Sequence, residues 1–61
     1  MNRVGKVVRV VVPQKSKVCM IIAETEDRRK FFAFIPKKDI PVVGKVGRKI
    51  VMNRTGYVYL A

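Results

Sequence analysis

The residues between positions 30 and 38 carry the clearest chemistry in this chain, because three phenylalanines and three lysines lie within nine residues. Nucleic-acid bases stack on aromatic rings, and nearby lysines neutralise phosphates. In an extended strand, alternation places Phe31 with Ala33 and Ile35 on one face, and Lys30 with Phe32 and Phe34 on the other. A small domain does not easily bury rings on both faces of one strand, so we expect at least one phenylalanine to be exposed. The alternative is a tight curl that buries Phe32 or Phe34 beneath the loop between Pro36 and Pro41.

The charge balance also favours an anionic partner. The chain has 14 Lys and Arg residues against four Asp and Glu residues, a formal net charge of +10. Such a field attracts polyanions, nucleic acid first and an anionic membrane surface second, although surplus lysine also keeps a small domain soluble. The basic residues in and beside the predicted loops form a diffuse phosphate-attracting field: Lys15, Lys17, Arg28, Arg29, Arg48 and Arg54.

Catalysis is the least favoured function. The chain has no histidine, and its acidic residues are mostly one cluster at positions 24–27 beside Arg28 and Arg29, as in a charged turn. Neither metal-ligand spacing nor a glycine-rich phosphate loop is present. We therefore expect a protein that is not an enzyme and has no cofactor and no metal.

The single cysteine, Cys19, lies in an apolar run and is predicted to be a small core residue. The absence of an internal disulfide fits a reducing compartment, so we expect a cytoplasmic location, with the nucleoid or nucleus also open. No apolar run approaches the length of a membrane span, and the amino terminus lacks the pattern of a secretion signal. We expect no membrane association.

The elements that position these residues are predicted to be β-strands. Valine is the commonest residue, and β-branched side chains favour strands over helices. Turn-forming residues divide the chain into five apolar runs, at residues 4–12, 17–25, 30–35, 48–52 and 57–60. A short helical turn is expected at residues 37–40. Sixty-one residues make one domain, so residues 1–61 are predicted to form a single small five-stranded antiparallel β-barrel.

Two further strands carry candidate binding residues. Parity along the first run places Arg9 with Val7 and Val11, and Lys6 on the other face with the remaining valines. Arg9 either contacts a base or phosphate, or is a charge that protects an edge strand. Tyr57 and Tyr59 share one face of the last strand, where they either extend a stacking surface or cap the barrel.

The order of these features resembles the cold-shock domain, a compact five-stranded form of the oligonucleotide-binding (OB) barrel. Residues 5–10, Gly-Lys-Val-Val-Arg-Val, are similar to the opening strand of that family, and residues 31–35, Phe-Phe-Ala-Phe-Ile, resemble its second ribonucleoprotein motif. The resemblance implies that Phe32 and Phe34 face single-stranded nucleic acid, with Phe31, Ala33 and Ile35 inside. The second strand departs from the family, because Cys19 and Ile21 occupy the positions that would display aromatic rings.

The sequence thus predicts an OB-like, cold-shock-type barrel that binds single-stranded DNA or RNA with low sequence specificity. An SH3-like barrel is the alternative fold. The predicted nucleic-acid-binding residues are Lys6, Arg9, Lys17, Lys30, Phe32, Phe34, Lys37, Lys38, Arg54, Tyr57 and Tyr59. One alternative function is duplex binding, with Met20, Met52 and Phe34 as wedges between base steps. Another is docking on an acidic protein such as a polymerase, nuclease or ribosomal component, and a homodimer through the valine-rich first strand is also open.

Overall fold

Five β-strands and one short helical segment make up the protein in the computed structural model, which describes residues 2–61. The strands are β1 (Arg3–Val11), β2 (Val18–Glu24), β3 (Lys30–Pro36), β4 (Lys49–Met52) and β5 (Val58–Leu60). A 3₁₀ turn at Lys37–Asp39 leads into helix α1 (Ile40–Val43) between β3 and β4. All five predicted strands are present with their ends displaced by at most one residue, and the helical turn is confirmed. Within residues 2–61, no helix is long and apolar enough to cross a membrane.

The strands form one antiparallel sheet in the order β3-β2-β1-β4-β5. The all-β, five-stranded antiparallel prediction is therefore confirmed. The predicted closure into a barrel is wrong, because β3 and β5 remain edge strands without hydrogen bonds to each other. The physical reason is that β5, with only three residues, offers few backbone groups for pairing with β3, while α1 packs beside it on the core side, where Val43 and Val58 belong to one cluster.

The core lies on one side of the sheet. Val7, Cys19, Ile21 and Ile50 are fully enclosed, and Val43 of α1 also belongs to the core cluster. The expectation that Cys19 is a core residue is confirmed by its 0% exposure. Burial of these apolar side chains is the main favourable contribution to folding in so small a domain.

Gly5 allows β1 to approach β2 and the core closely. A Cβ atom at this position would lie 2.7 Å from Cε1 of Phe31 and 2.9 Å from the carbonyl oxygen of Glu24. Because the second contact is with backbone, no rotation of a side chain could relieve it. The packing of Phe31 against β1 therefore requires glycine at position 5.

Two turns have side chains that hold the adjacent strands in register. In the β2–β3 turn, the Thr25 hydroxyl accepts a hydrogen bond from the Arg29 amide and donates one to the Asp27 carboxylate. In the β4–β5 turn, Asn53 Oδ1 accepts hydrogen bonds from the amides of Thr55 and Tyr57. Gly56 has a φ of 91°, which favours glycine, so the predicted hairpin turn is confirmed.

Candidate nucleic-acid interface

Strand β3 presents two phenylalanine rings to solvent. Exposure alternates along the strand: Phe31 is 3% exposed, whereas Phe32 is 59% and Phe34 is 66% exposed. The expectation that a phenylalanine lies exposed is confirmed, and the alternative in which the following loop buries Phe32 or Phe34 is wrong. The cause is that Phe31, Ala33 and Ile35 fill the core side, so the intervening residues must point outward.

Strand β2 completes this surface with two apolar side chains, of which only Met20 was a predicted contact, as a wedge in the duplex-binding alternative. Met20 pairs with Phe34, and Ile22 pairs with Phe32, so these half-buried side chains lie on the same face as the rings. The resemblance had placed Cys19 and Ile21 at the ligand-facing positions. That assignment is wrong, because both residues are fully buried and pair with the core residues of β3.

A β-bulge in β1 brings two cations to the same face. Lys6 pairs with Glu24 and Arg9 pairs with Ile22, and the register of β1 against β2 shifts between Val7 and Arg9. The extra residue at the bulge reverses the alternation beyond it. The parity prediction that Lys6 and Arg9 lie on opposite faces is therefore wrong, and the bulge is its physical reason. We call the surface formed by Phe32, Phe34, Met20, Ile22, Val11, Lys6, Arg9 and Lys30 the phenylalanine face.

A row of charged residues crosses the sheet next to the phenylalanines. Lys30 pairs with Glu24, Glu24 pairs with Lys6, and Lys6 pairs with Lys49. With Arg9, this side of the sheet has four cations against one carboxylate. Lys49 is a cation of this surface that the sequence analysis did not identify, and its register with Lys6 is visible only once β1 and β4 are paired.

A group of lysines lies at the end of β2 and β3 nearest Phe34. The Lys37 amide donates a hydrogen bond to the Lys17 carbonyl oxygen at 2.9 Å, which joins the β1–β2 loop to the 3₁₀ turn. Lys15, Lys17 and Lys38 are exposed and Lys37 is half-buried. The structure therefore brings the predicted residues Lys17, Lys37 and Lys38 together beside the phenylalanine face.

Three of the four acidic residues lie at the other end of β2 and β3. Glu24 ends β2, and Glu26 and Asp27 lie in the exposed turn that follows. The hydrogen bond from the Thr25 hydroxyl lowers the pKa of Asp27, and the neighbouring Arg29 guanidinium lowers it further. Asp27 Oδ2 lies 3.3 Å from Arg29 Nε. Positive charge is therefore least compensated at the Phe34 end of the face.

Arg54, Tyr57 and Tyr59 form a separate aromatic surface on the β4–β5 hairpin. The rings of Tyr57 and Tyr59 are stacked, with centroids 6.0 Å apart. Tyr59 pairs with Val51, and Val51 pairs with Val4. Because Val4 precedes Lys6 by two residues in β1, this row lies on the opposite side of the charged row from the phenylalanines. In the sheet register, the tyrosines and the phenylalanines are thus separated by charged residues and do not form one continuous platform.

Comparison of the chain with protein-family models, curated proteins and solved structures finds no match.

Proposed function

We propose that this protein binds single-stranded DNA or RNA with low sequence specificity through its phenylalanine face. The observation that carries the proposal is the pair of rings, Phe32 and Phe34, which are 59% and 66% exposed on one face of a sheet. A large exposed apolar patch on a soluble domain marks a contact surface. Here the patch is aromatic and is bordered by cations, the combination that stacks bases and neutralises phosphates.

The spacing of the rings favours an extended strand of nucleic acid. Residues two apart in a β-strand are separated by about 7 Å, whereas successive bases in a duplex strand rise by roughly 3.4 Å. Bases that stack on both Phe32 and Phe34 must therefore be drawn apart from each other. A flexible single strand can adopt that spacing, and a regular duplex does not expose its base faces at all. Every base has an aromatic face, so the expected sequence preference is weak.

The cations supply attraction for the phosphates on either side of the rings. Arg9, Lys6 and Lys30 border the rings within the sheet, and Lys17, Lys37 and Lys38 extend the positive charge past Phe34. Their arrangement supports a backbone path that runs along β3 from Lys30 past Phe34 and ends in the lysine-rich loops. The acidic β2–β3 turn disfavours a path in the opposite direction.

The strand order supports an OB-type arrangement as part of this proposal. OB folds are partly open five-stranded Greek-key barrels that bind oligonucleotides on the face of strands 2 and 3. The sheet has the order β3-β2-β1-β4-β5 with α1 between β3 and β4, and its exposed rings lie on the β2–β3 face. The proposal includes an intracellular location, where single-stranded nucleic acid is available as a ligand.

An amide chemical-shift titration tests ligand class and contact surface together. The full chain is titrated with a short oligothymidine, with the RNA equivalent and with a duplex of equal length, at low salt and then at increasing salt. We expect shifts in β2 and β3 around Phe32 and Phe34 with the single strands, and affinity that falls linearly with salt on logarithmic axes.

The control is Val46→Ala, which removes apolar surface from a residue that is 67% exposed but outside β1–β3. This variant is expected to bind the oligonucleotide like the unmodified chain. Tyr57→Ala measures whether the tyrosines add a third stacking position. A clear preference for the duplex would replace stacking with groove binding, and no binding at low salt would overturn the proposal in favour of a protein partner.

A further inference from the structure

The free side of β5 borders a shallow groove that is separate from the phenylalanine face. The groove has a volume of about 270 Å³ and is lined by residues of α1 and β5 and by the residue before each of them: Asp39, Val42, Val43, Tyr57, Val58, Tyr59 and Leu60. No residue of β4 lines it, so it lies along the edge of β5 that faces away from the sheet. Val42, Tyr57 and Leu60 are 50%, 64% and 42% exposed, which leaves the walls largely apolar and open.

The hydrogen-bond register shows which backbone groups of β5 face this groove. The Asn53 amide donates to the Tyr57 carbonyl, and the Ala61 amide donates to the Lys49 carbonyl. In an antiparallel ladder, bonded and non-bonded pairs alternate. Tyr57, Tyr59 and Ala61 occupy the bonded positions, and Val58 and Leu60 occupy the non-bonded ones. The amide and carbonyl groups of Val58 and Leu60 therefore point away from β4. Outside the strand ladders, neither residue takes part in a backbone hydrogen bond within residues 2–61.

One cation contacts a lining residue of the groove, and three more lie close to the lining residues in sequence. Arg48 Nη1 donates a hydrogen bond to the Val42 carbonyl at 3.1 Å, which holds its guanidinium against α1. Lys38 precedes Asp39, Lys45 follows α1, and Arg54 lies in the turn before β5, all with exposed side chains. Asp39 is the one acidic residue among the lining residues. This excess of positive charge favours an acidic occupant and disfavours a second copy of a chain whose own net charge is +10.

We infer that the groove binds an extended acidic protein segment, which adds as a strand to the edge of β5. Strand addition uses main-chain hydrogen bonds for affinity and pockets for alternate side chains for specificity. Here Val58 and Leu60 supply the main-chain groups. Val42 and Leu60 supply apolar contacts for every second side chain of the segment, because Leu60 lies on the core side of β5, the side on which α1 packs. Acidic side chains at the alternate positions of the segment face these cations.

A designed peptide pair tests this assignment. The probe is a capped peptide of about nine residues in which valine alternates with glutamate or aspartate, and its partner has lysine at every acidic position. Amide hydrogen exchange and chemical shifts are recorded on the full chain. With the acidic peptide, the amides of Val58 and Leu60 are expected to shift and to exchange more slowly, whereas the lysine peptide leaves them unchanged.

Two variants at one position separate the backbone contact from the side-chain contact. Leu60→Ala keeps the backbone N–H that points into the groove. Leu60→Pro removes that N–H, and no hydrogen bond to β4 is lost because the Leu60 amide does not donate to β4. Peptide binding to Leu60→Pro is expected to be about threefold to tenfold weaker than to Leu60→Ala, as one lost hydrogen bond predicts. The shifts of Ile50 and Val51 report whether the hairpin is intact in both variants. Asp39→Asn is expected to tighten binding of the acidic peptide.

The outcomes are distinct from those that bear on the proposed function. Equal affinity of Leu60→Pro and Leu60→Ala would overturn strand addition. Strand addition would also be overturned if the acidic peptide shifted only the amides of Phe32 and Phe34, or if the lysine peptide bound as tightly as the acidic one. It would be overturned as well if about 1 mM acidic peptide left the amide shifts of the chain unchanged. Slow exchange of the Val58 and Leu60 amides in the free chain, together with a dimer in sedimentation, would assign the edge to a second copy instead. Leu60→Pro is expected to bind oligothymidine normally, and Phe34→Ala to bind the acidic peptide normally.

Discussion

Replacement of Phe34 by alanine, compared with the same change at Phe31, separates a binding residue from a core residue on one strand. Phe34 is 66% exposed and Phe31 is 3% exposed. Full burial of a phenylalanine side chain contributes roughly 1.5–3 kcal/mol, so the buried third of Phe34 contributes about 0.5–1 kcal/mol. Phe34→Ala is expected to lower the free energy of unfolding by no more than this. Phe31→Ala is expected to cost about 3–5 kcal/mol, which is comparable with the whole stability of so small a domain.

The effect on binding is expected to be the reverse of the effect on stability. Stacking of one base on an aromatic ring contributes roughly 1–3 kcal/mol, and each 1.4 kcal/mol corresponds to about a tenfold change in affinity. Phe34→Ala is therefore expected to weaken binding of oligothymidine by about fivefold to 150-fold. The Phe32→Ala variant has the same expectation, because its ring is 59% exposed on the same face.

Urea denaturation measures the stability of each variant, and fluorescence anisotropy of a labelled oligothymidine measures its affinity. Val46→Ala serves as the exposed control in both assays. A Phe34→Ala variant that unfolds as readily as Phe31→Ala would show that the core and solvent faces of β3 are inverted. A folded Phe34→Ala variant with affinity within about twofold of the unmodified chain would remove stacking from the binding surface.

Three further changes test the surroundings of the face. Gly5→Ala is expected to lower the free energy of unfolding by about 1–3 kcal/mol, because the added Cβ would overlap Phe31 and the Glu24 carbonyl. A smaller loss of stability in urea denaturation would contradict the close approach of β1 and β2. Lys38→Ala is expected to weaken all oligonucleotides alike and to reduce the slope of log affinity against log salt by about 0.7, so an unchanged slope would exclude a phosphate contact. Thr25→Ala is expected to raise the pKa of Asp27, because it removes the hydroxyl hydrogen bond that lowers that pKa most. The lowered pKa of Asp27 contributes stability that is fully present above the unfolded-state pKa and is lost as pH falls through the folded-state pKa. An NMR titration of the Asp27 carboxyl that finds the same pKa in Thr25→Ala would contradict the hydroxyl hydrogen bond as the cause of the lowered pKa.

The strands and the exposed rings were predictable because they depend on local rules. Turn-forming residues interrupt β-branched runs, so strand ends lie within one residue of their predicted positions. Strand β3 has an unbroken alternation of small or apolar core residues with Lys30, Phe32 and Phe34. A period of two in a regular strand survives folding, which is why at least one exposed phenylalanine followed from residue types alone.

The strand faces of β1 and β2 were decided by pairing. In β1, the bulge after Val7 adds one residue and brings Arg9 to the same side as Lys6, an event with no signal in a run of valines. In β2, nearly every residue is apolar, so alternation could not tell Cys19 and Ile21 from Met20 and Ile22. Only the register against β3 assigns the first pair to the core.

By itself, the sequence determined that the chain is an all-β antiparallel domain with excess positive charge and aromatic rings that the core cannot hold. The tertiary structure decided that the sheet stays open, that cations from β1 join the rings of β3, and that the stacked tyrosines lie beyond a charged row. The reason is physical: propensity and alternation act over a few residues of one strand. Register, bulges and sheet edges are set by contacts between residues far apart in the chain.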